Sequence, residues 1–66
     1  MGFKMYGQYK YDLNKESYFD SDGNSLLIEK NGNRWIAKFS KNNKIIETFS
    51  FEELDRLIEE YLQENE

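Results

Sequence analysis

The residues with the clearest potential for chemistry are the acidic side chains of segment 20–24, with the sequence DSDGN. Carboxylates at alternating positions are typical of the first half of a calcium loop, where they converge on one hard cation. The match then fails, because Ser25 stands where such a loop needs glycine and Asn31 where it needs a bidentate glutamate. We therefore predict a polar hairpin turn here and no metal site.

The residue types give little support to a catalytic site. The chain contains no histidine and no cysteine, which removes the commonest general base, the most reactive nucleophile, disulfides and the usual zinc ligands. Paired carboxylates occur only in segment 20–24 and on the surface of a predicted helix, where nothing would desolvate them and shift a pKa. We expect a protein that is not an enzyme and has no catalytic residue and no cofactor.

Nucleic-acid binding is a second candidate chemistry, because aromatic side chains on a basic sheet can stack on bases while cations contact phosphates. The residues that would make these contacts are Lys4, Tyr6, Lys10, Arg34 and Lys38. However, side-chain alternation places Trp35 on the core face, and the net charge of −4 is unfavourable for a dedicated nucleic-acid binder. Weak binding of single-stranded nucleic acid through the sheet is therefore an alternative function.

Charge is divided unevenly along the chain. Residues 1–49 carry eight Lys or Arg and six acidic residues, giving +2, whereas residues 50–66 carry seven acidic residues and one Arg, giving −6. An acidic helix could imitate the phosphates of DNA and occupy a DNA-binding protein. The side chains that would do so are Glu52, Asp55, Glu59 and Glu60. Such a run is usually only a solvated helix face, so inhibition by DNA mimicry is the second alternative.

The length of 66 residues predicts one domain, spanning 1–66, with a small core. Domains of this size need additional stabilisation, and without Cys or His the remaining sources are good packing and oligomerisation. The chain has five Phe, five Tyr and one Trp, which bury much area per residue and suit either source. We predict a homodimer.

No apolar run approaches the roughly 20 residues that a membrane-spanning helix requires. Lys4, Gln8 and Lys10 interrupt the region where a signal peptide would be apolar. The sequence therefore predicts a cytoplasmic protein with no membrane contact.

The first half of the chain predicts two strands. Segment 3–12 alternates, with Phe3, Met5 and Tyr9 on one side and Lys4 and Tyr6 on the other, which is typical of a half-buried strand. A shorter strand is predicted at about 17–20. A two-residue turn at Asp22-Gly23 would place Phe19 opposite Leu26.

Three further strands are predicted at about 25–30, 34–40 and 44–49. A turn at Asn31-Gly32 would place Ile28 opposite Trp35 and Glu29 opposite Arg34. A turn at Asn42-Asn43 would place Phe39 opposite Ile46 and Ile36 opposite Phe49, because both asparagines tolerate positive φ.

A helix is predicted at about 51–63, with Ser50 as its N-cap and Glu53 completing a capping box. Its apolar residues recur at helical spacing and should pack on one face of the sheet. The predicted core joins two sets, Ile28, Trp35, Phe39 and Ile46 from the sheet and Leu54, Leu57, Ile58 and Tyr61 from the helix. The fold class is therefore α+β, an antiparallel meander of four to five strands followed by one amphipathic helix.

The second face of this sheet is unusually apolar. Its candidate interface residues are Leu27, Ile36, Ile45 and Phe49. Such a surface is typical of a contact with a protein partner or a second copy. The alternative is a loop or the N-terminal strand covering this face within one monomer.

In composition the chain resembles the small uncharacterised proteins of prophages in low-GC Gram-positive bacteria. The resemblance lies in its richness in Lys, Asn, Glu and Ile, in its lack of Cys, His and Pro, and in the segment NGNRWIAKFSKNNKIIETFSFEEL. It implies an accessory or regulatory role and assigns no functional residue.

Overall fold

A five-stranded antiparallel sheet followed by one C-terminal helix confirms the predicted α+β class. The computed structural model describes residues 3–64, so residues 1, 2, 65 and 66 of the predicted domain lie outside it. The elements are β1 (Lys10–Asp12), β2 (Ser17–Phe19), β3 (Ser25–Asn31), β4 (Arg34–Phe39), β5 (Lys44–Thr48) and α1 (Phe51–Glu64). The strands lie side by side in chain order, and α1 packs against β4 and β5.

The start of α1 confirms Ser50 as the N-cap. Its hydroxyl oxygen accepts a hydrogen bond from the backbone N–H of Glu53 at 3.1 Å. Its carbonyl accepts the N–H of Leu54 at 3.1 Å and the hydroxyl of the buried Thr48 at 2.7 Å. The link between β5 and α1 is therefore fixed by hydrogen bonds, which sets the direction in which the helix crosses the sheet.

The core lies between α1 and one face of the sheet. Its buried members are Tyr6, Tyr9, Tyr18, Leu26, Ala37, Phe39, Leu54 and Ile58. The predicted core residues Ile28, Trp35, Ile46 and Tyr61 are partly buried against this cluster. Leu57 is only half-buried, so Leu54 and Ile58 are the main apolar anchors of the helix.

The turn between β3 and β4 is formed by Gly32 and Asn33, so the predicted Asn31-Gly32 turn is wrong by one residue. Ile28 pairs with Ala37, two positions away from the predicted Trp35. Gly32 has φ of +66°, and glycine at the first turn position is the requirement of a type II′ hairpin. A shift of two residues leaves every side chain on its predicted face.

The pairing of β4 with β5 is also shifted by two residues. Ala37, rather than Phe39, pairs with Ile46, and Phe39 pairs with Lys44. The connection is therefore a four-residue loop, 40–43, in which Asn43 adopts φ of +54°. The predicted partnership of Ile36 with Phe49 is wrong, because Ile36 pairs with Glu47 and Phe49 follows the end of β5.

The register between β2 and β3 differs from the prediction by one residue, and this changes which aromatic ring is buried. Tyr18, rather than Phe19, pairs with Leu26 and lies in the core. The cause is Asp20, whose carboxylate accepts the backbone N–H groups of Asp22 at 3.0 Å and Asn24 at 2.8 Å. These bonds close a five-residue loop, 20–24, where a two-residue turn was predicted.

The predicted strand at 3–12 is wrong over residues 3–9. The chain reverses at Gly7-Gln8, where Tyr6 and Tyr9 exchange backbone hydrogen bonds of 3.0 and 2.8 Å. Gly7 has φ of +57°, and an added Cβ would lie 3.3 Å from Cδ1 of Leu62. Phe3 and Met5 are consequently exposed, whereas Tyr6 and Tyr9 are buried.

Candidate interaction surfaces

The sheet face opposite α1, here called the open face, combines apolar and charged side chains. Its apolar members follow from the strand registers as Phe19, Leu27, Ile36 and Ile45, and its charged members as Lys10, Asp12, Glu29, Arg34, Lys38 and Glu47. Their neighbours along each strand, such as Tyr18, Leu26 and Ala37, point into the core.

The structure brings three of the four predicted interface residues together. Leu27 and Ile45 both pair with Lys38, and Ile36 is the diagonal neighbour of each. Leu27 and Ile36 are half-buried, but Ile45 is 59% exposed. Phe49 lies just beyond β5 and is 70% exposed, with the guanidinium carbon of Arg34 5.7 Å from its ring centroid.

The N-terminal segment, one of the two predicted internal covers of this face, packs elsewhere. Phe3 stacks on Tyr11 at 3.8 Å between ring centroids, and Tyr6 and Lys4 bond to Asp55 of α1. These partners lie on the core side of the sheet. Segment 3–9 therefore leaves Ile45 and Phe49 uncovered.

The charges at the centre of the open face are balanced. The ammonium of Lys38 lies 3.1 Å from the carboxylate of Glu29, and the guanidinium of Arg34 lies 3.3 Å from that of Glu47. The predicted pair of Glu29 with Arg34 is wrong, because the two-residue shift places Ile36 opposite Glu29. Around Ile36 two cations and two carboxylates therefore cancel, whereas Lys10, Asp12 and Lys15, whose ammonium lies 4.8 Å from the ring centroid of Phe19, lie toward the β1 side.

The five candidate nucleic-acid contacts lie on two sides of the molecule. Tyr6 is 1% exposed, and Lys4 bonds to Asp55 at 2.9 Å and Glu59 at 3.3 Å on the helix side. Lys10, Arg34 and Lys38 lie on the open face, where the last two are already ion-paired. These side chains do not form one basic surface.

The acidic side chains of α1 are largely paired within the chain. Lys4 contacts Asp55 and Glu59, and Arg56 lies 2.9 Å from Glu60 and 4.0 Å from Glu53. The row of carboxylates predicted as a DNA mimic is therefore interrupted by two cations.

A hydrogen-bonded cluster that the sequence did not predict holds the N-terminal segment to α1. The hydroxyl of Tyr6 donates to Asp55 at 2.7 Å, beside the ammonium of Lys4. Burial alone would raise the pKa of Asp55, but the hydrogen bonds from Tyr6 and Lys4 outweigh it and lower this pKa. Burial, and then the bond to Asp55, raises the pKa of the Tyr6 phenol. The hydrogen bond to Asp55 raises the pKa of Lys4.

These pKa shifts predict a plateau of stability between about pH 5 and about pH 9. The lowered pKa of Asp55 stabilises the fold above its ordinary value of 3.8, and this contribution is lost as the pH falls through the folded-state pKa. The raised pKa values of Tyr6 and Lys4 stabilise below their ordinary values of 10.0 and 10.5, and these contributions are lost as the pH rises further.

The measurement is the urea midpoint as a function of pH, for the wild type and for Asp55→Asn. We expect the acid limb to be shallower in the variant, because Asp55 no longer takes up a proton on unfolding. An acid limb of unchanged slope would show that Asp55 does not contribute to it.

Other kinds of site have little basis in the part of the chain that the structure describes. Residues 3–64 contain no group of three or more acidic side chains placed to hold a metal ion. No helix within this range is long and apolar enough to cross a membrane. A cleft of about 400 Å³ between the Gly7-Gln8 turn, loop 40–43 and the end of α1 is lined by the aromatic side chains of Tyr9, Phe39 and Tyr61 and by Lys41 and Glu59.

Comparison with known protein families, with curated proteins and with solved structures finds no match.

Proposed function

We propose that the protein is a non-catalytic protein–protein interaction module that forms a homodimer, with Ile45 and Phe49 of the predicted interface residues at the contact between the two copies. The observation that carries this proposal is the exposure of Ile45 and Phe49, at 59% and 70%. Ile45 lies beside Ile36 on the open face, and large apolar side chains left in water next to other apolar residues are typical of association surfaces. Aromatic residues such as Phe49 are enriched in these contacts.

The charge of the open face supports a second copy as the partner. In a twofold dimer the same patch of both subunits comes together, so a patch with an excess of one sign would repel itself. The part of the open face around Ile36 has two cations and two carboxylates, which are paired at 3.1 and 3.3 Å. Such a face can approach a copy of itself without net repulsion.

The size of the domain gives a second reason for association. A chain of 66 residues buries a smaller share of its surface than a larger domain does. Covering Ile45 and Phe49 in a dimer would add apolar burial at about 25 cal/mol per Å². The dimer would therefore be more stable than the isolated chain.

Light scattering coupled to size exclusion, over a concentration series, tests the proposal. The mass should rise from 8.0 kDa toward twice that value with increasing concentration. Phe49→Ser should weaken the dimer by about tenfold, whereas Leu13→Ser, at an equally exposed position in the β1–β2 turn, should leave it unchanged. A wild type that stays monomeric at high micromolar concentration would contradict the proposal.

The two alternative functions have less support. Single-stranded nucleic-acid binding would need Lys4, Arg34 and Lys38 to leave their acidic partners and Tyr6 to leave the core. It predicts an affinity that falls steeply with salt. DNA mimicry would need the carboxylates that Lys4 and Arg56 contact, and it predicts that a basic protein co-purifies.

A further inference from the structure

We infer that the second copy joins edge to edge, β5 against β5, so that the two five-stranded sheets become one continuous sheet. This inference rests on the proposed homodimer and specifies how its two copies meet. It follows from a difference between the two edges of the sheet and from the residues of β5.

One edge of the sheet is protected. β1 has three residues, the preceding chain turns back at Gly7-Gln8, and Phe3 stacks on Tyr11 beside it. Short strands and covering segments are the usual means by which proteins prevent edge pairing. We therefore do not expect a strand of a second copy to pair with β1.

The other edge is open. β5 is the last strand in the sheet order and pairs with β4 alone among the strands of residues 3–64. Its five residues pair with β4 without a bulge, and the chain contains no proline. An edge of this kind presents unpaired N–H and C=O groups along its length.

The residues of β5 suit antiparallel pairing with a copy of the same strand. The sequence KIIET carries one positive and one negative charge, and three of its five residues are β-branched. When the pairing is centred on Ile46, all five residues have partners, with Ile46 facing Ile46 of the second copy. Lys44 then faces Thr48, and Ile45 faces Glu47, so no side chain meets its own charge.

Edge pairing agrees better with the open face than a face-to-face sandwich does. A sandwich would take the ion pairs Lys38–Glu29 and Arg34–Glu47 out of water, and the lost hydration of buried ion pairs often exceeds their attraction. Edge pairing leaves both pairs hydrated. It also covers Ile45 and brings Phe49 beside Asn43 of the second copy.

Two substitutions of Ile45, one by an acidic and one by a basic residue, test this register. Ile45→Glu would face Glu47 of the second copy, and Ile45→Lys would form an opposite-charge pair with it. Within its own sheet residue 45 faces Lys38, so the Lys variant is the less favourable one for the monomer. We expect the dimer dissociation constant of Ile45→Glu to exceed that of Ile45→Lys by about tenfold, since the contact occurs twice in the dimer.

The control for the face is Ile36→Lys, which places a charge at the centre of the open face opposite Glu47 of its own chain. This variant should keep the dimer. Equal weakening by both substitutions at position 45, together with a monomeric Ile36→Lys, would overturn the edge inference and leave the homodimer standing. A monomeric wild type would overturn both.

Amide hydrogen exchange of the wild type gives a reading that does not depend on whether a variant folds. Edge pairing predicts that alternate N–H groups within Lys44–Thr48 become protected as the concentration rises. A doubled mass with unchanged exchange in β5 would overturn the edge inference.

Discussion

Replacing Leu54 with alanine should lower the free energy of unfolding by about 2–5 kcal/mol. Leu54 is fully buried between α1 and the sheet, where it belongs to the cluster with Leu26, Ala37 and Ile58. The substitution leaves a cavity among side chains that the short strands hold in place. Because domains of this kind are stable by only about 5–15 kcal/mol, urea denaturation followed by circular dichroism should show a large drop in the midpoint.

Two matched substitutions distinguish the effect of losing a buried side chain from the effect of replacing a leucine at a more exposed position. Leu57→Ala, at a half-buried position of the same helix, should cost clearly less than Leu54→Ala. Leu13→Ala, in a turn where the side chain is 73% exposed, should change stability by no more than about 0.5 kcal/mol. A wild-type midpoint for Leu54→Ala would refute the packing of Leu54 against Leu26, Ala37 and Ile58.

Replacing Tyr6 with phenylalanine should cost about 1.5–3 kcal/mol, the usual range for a hydrogen bond to a charged group. The ring remains in the core, but the hydroxyl that donates to Asp55 at 2.7 Å is lost. Asp55 is partly buried, and among residues 3–64 Lys4 would be its remaining side-chain partner. Urea denaturation near neutral pH measures the loss.

A double-mutant cycle assigns that loss to the contact. In an Asp55→Asn background the hydroxyl of Tyr6 no longer meets a charged acceptor, so Tyr6→Phe should cost less there than in the wild type. Equal costs in the two backgrounds would show that the hydroxyl stabilises the fold through something other than Asp55.

The parts of the fold that local patterns determine could be predicted from the sequence. Alternation placed Leu26, Ala37 and Phe39 on the core face, and capping residues placed the start of α1 at Ser50. Both signals involve residues close together in the chain. Leu27, Ile36 and Ile45 of the open face followed from the same alternation, whereas Phe19 was predicted beside Leu26 in the core.

The registers could not be predicted, because the turn sequences are ambiguous. The segment Asn31-Gly32-Asn33 contains two dipeptides that suit a hairpin turn, and the structure uses the second. In segment 20–24 the bonds accepted by Asp20 lengthen the loop beyond the dipeptide Asp22-Gly23. Which residues form each turn therefore depends on contacts throughout the fold and not on the turn sequence alone.

The N-terminal segment could not be predicted because its contacts are distant in sequence. Tyr6 and Asp55 are separated by 49 residues, and no local pattern links them. Alternation over 3–12 therefore indicated a strand, although the chain reverses at Gly7 and Tyr6 lies against the helix. The glycine was the one local signal, since glycine inside a strand pattern often marks a break in it.

The measurement that most directly tests self-association of this protein is a concentration series of its amide NMR spectrum. Self-association through β5 should make the amide shifts move with concentration, with the largest changes in β5 and at Phe49 and smaller ones at Leu27 and Ile36. Spectra that do not change from low to high micromolar concentration, or changes confined to α1 and segment 3–9, would contradict it.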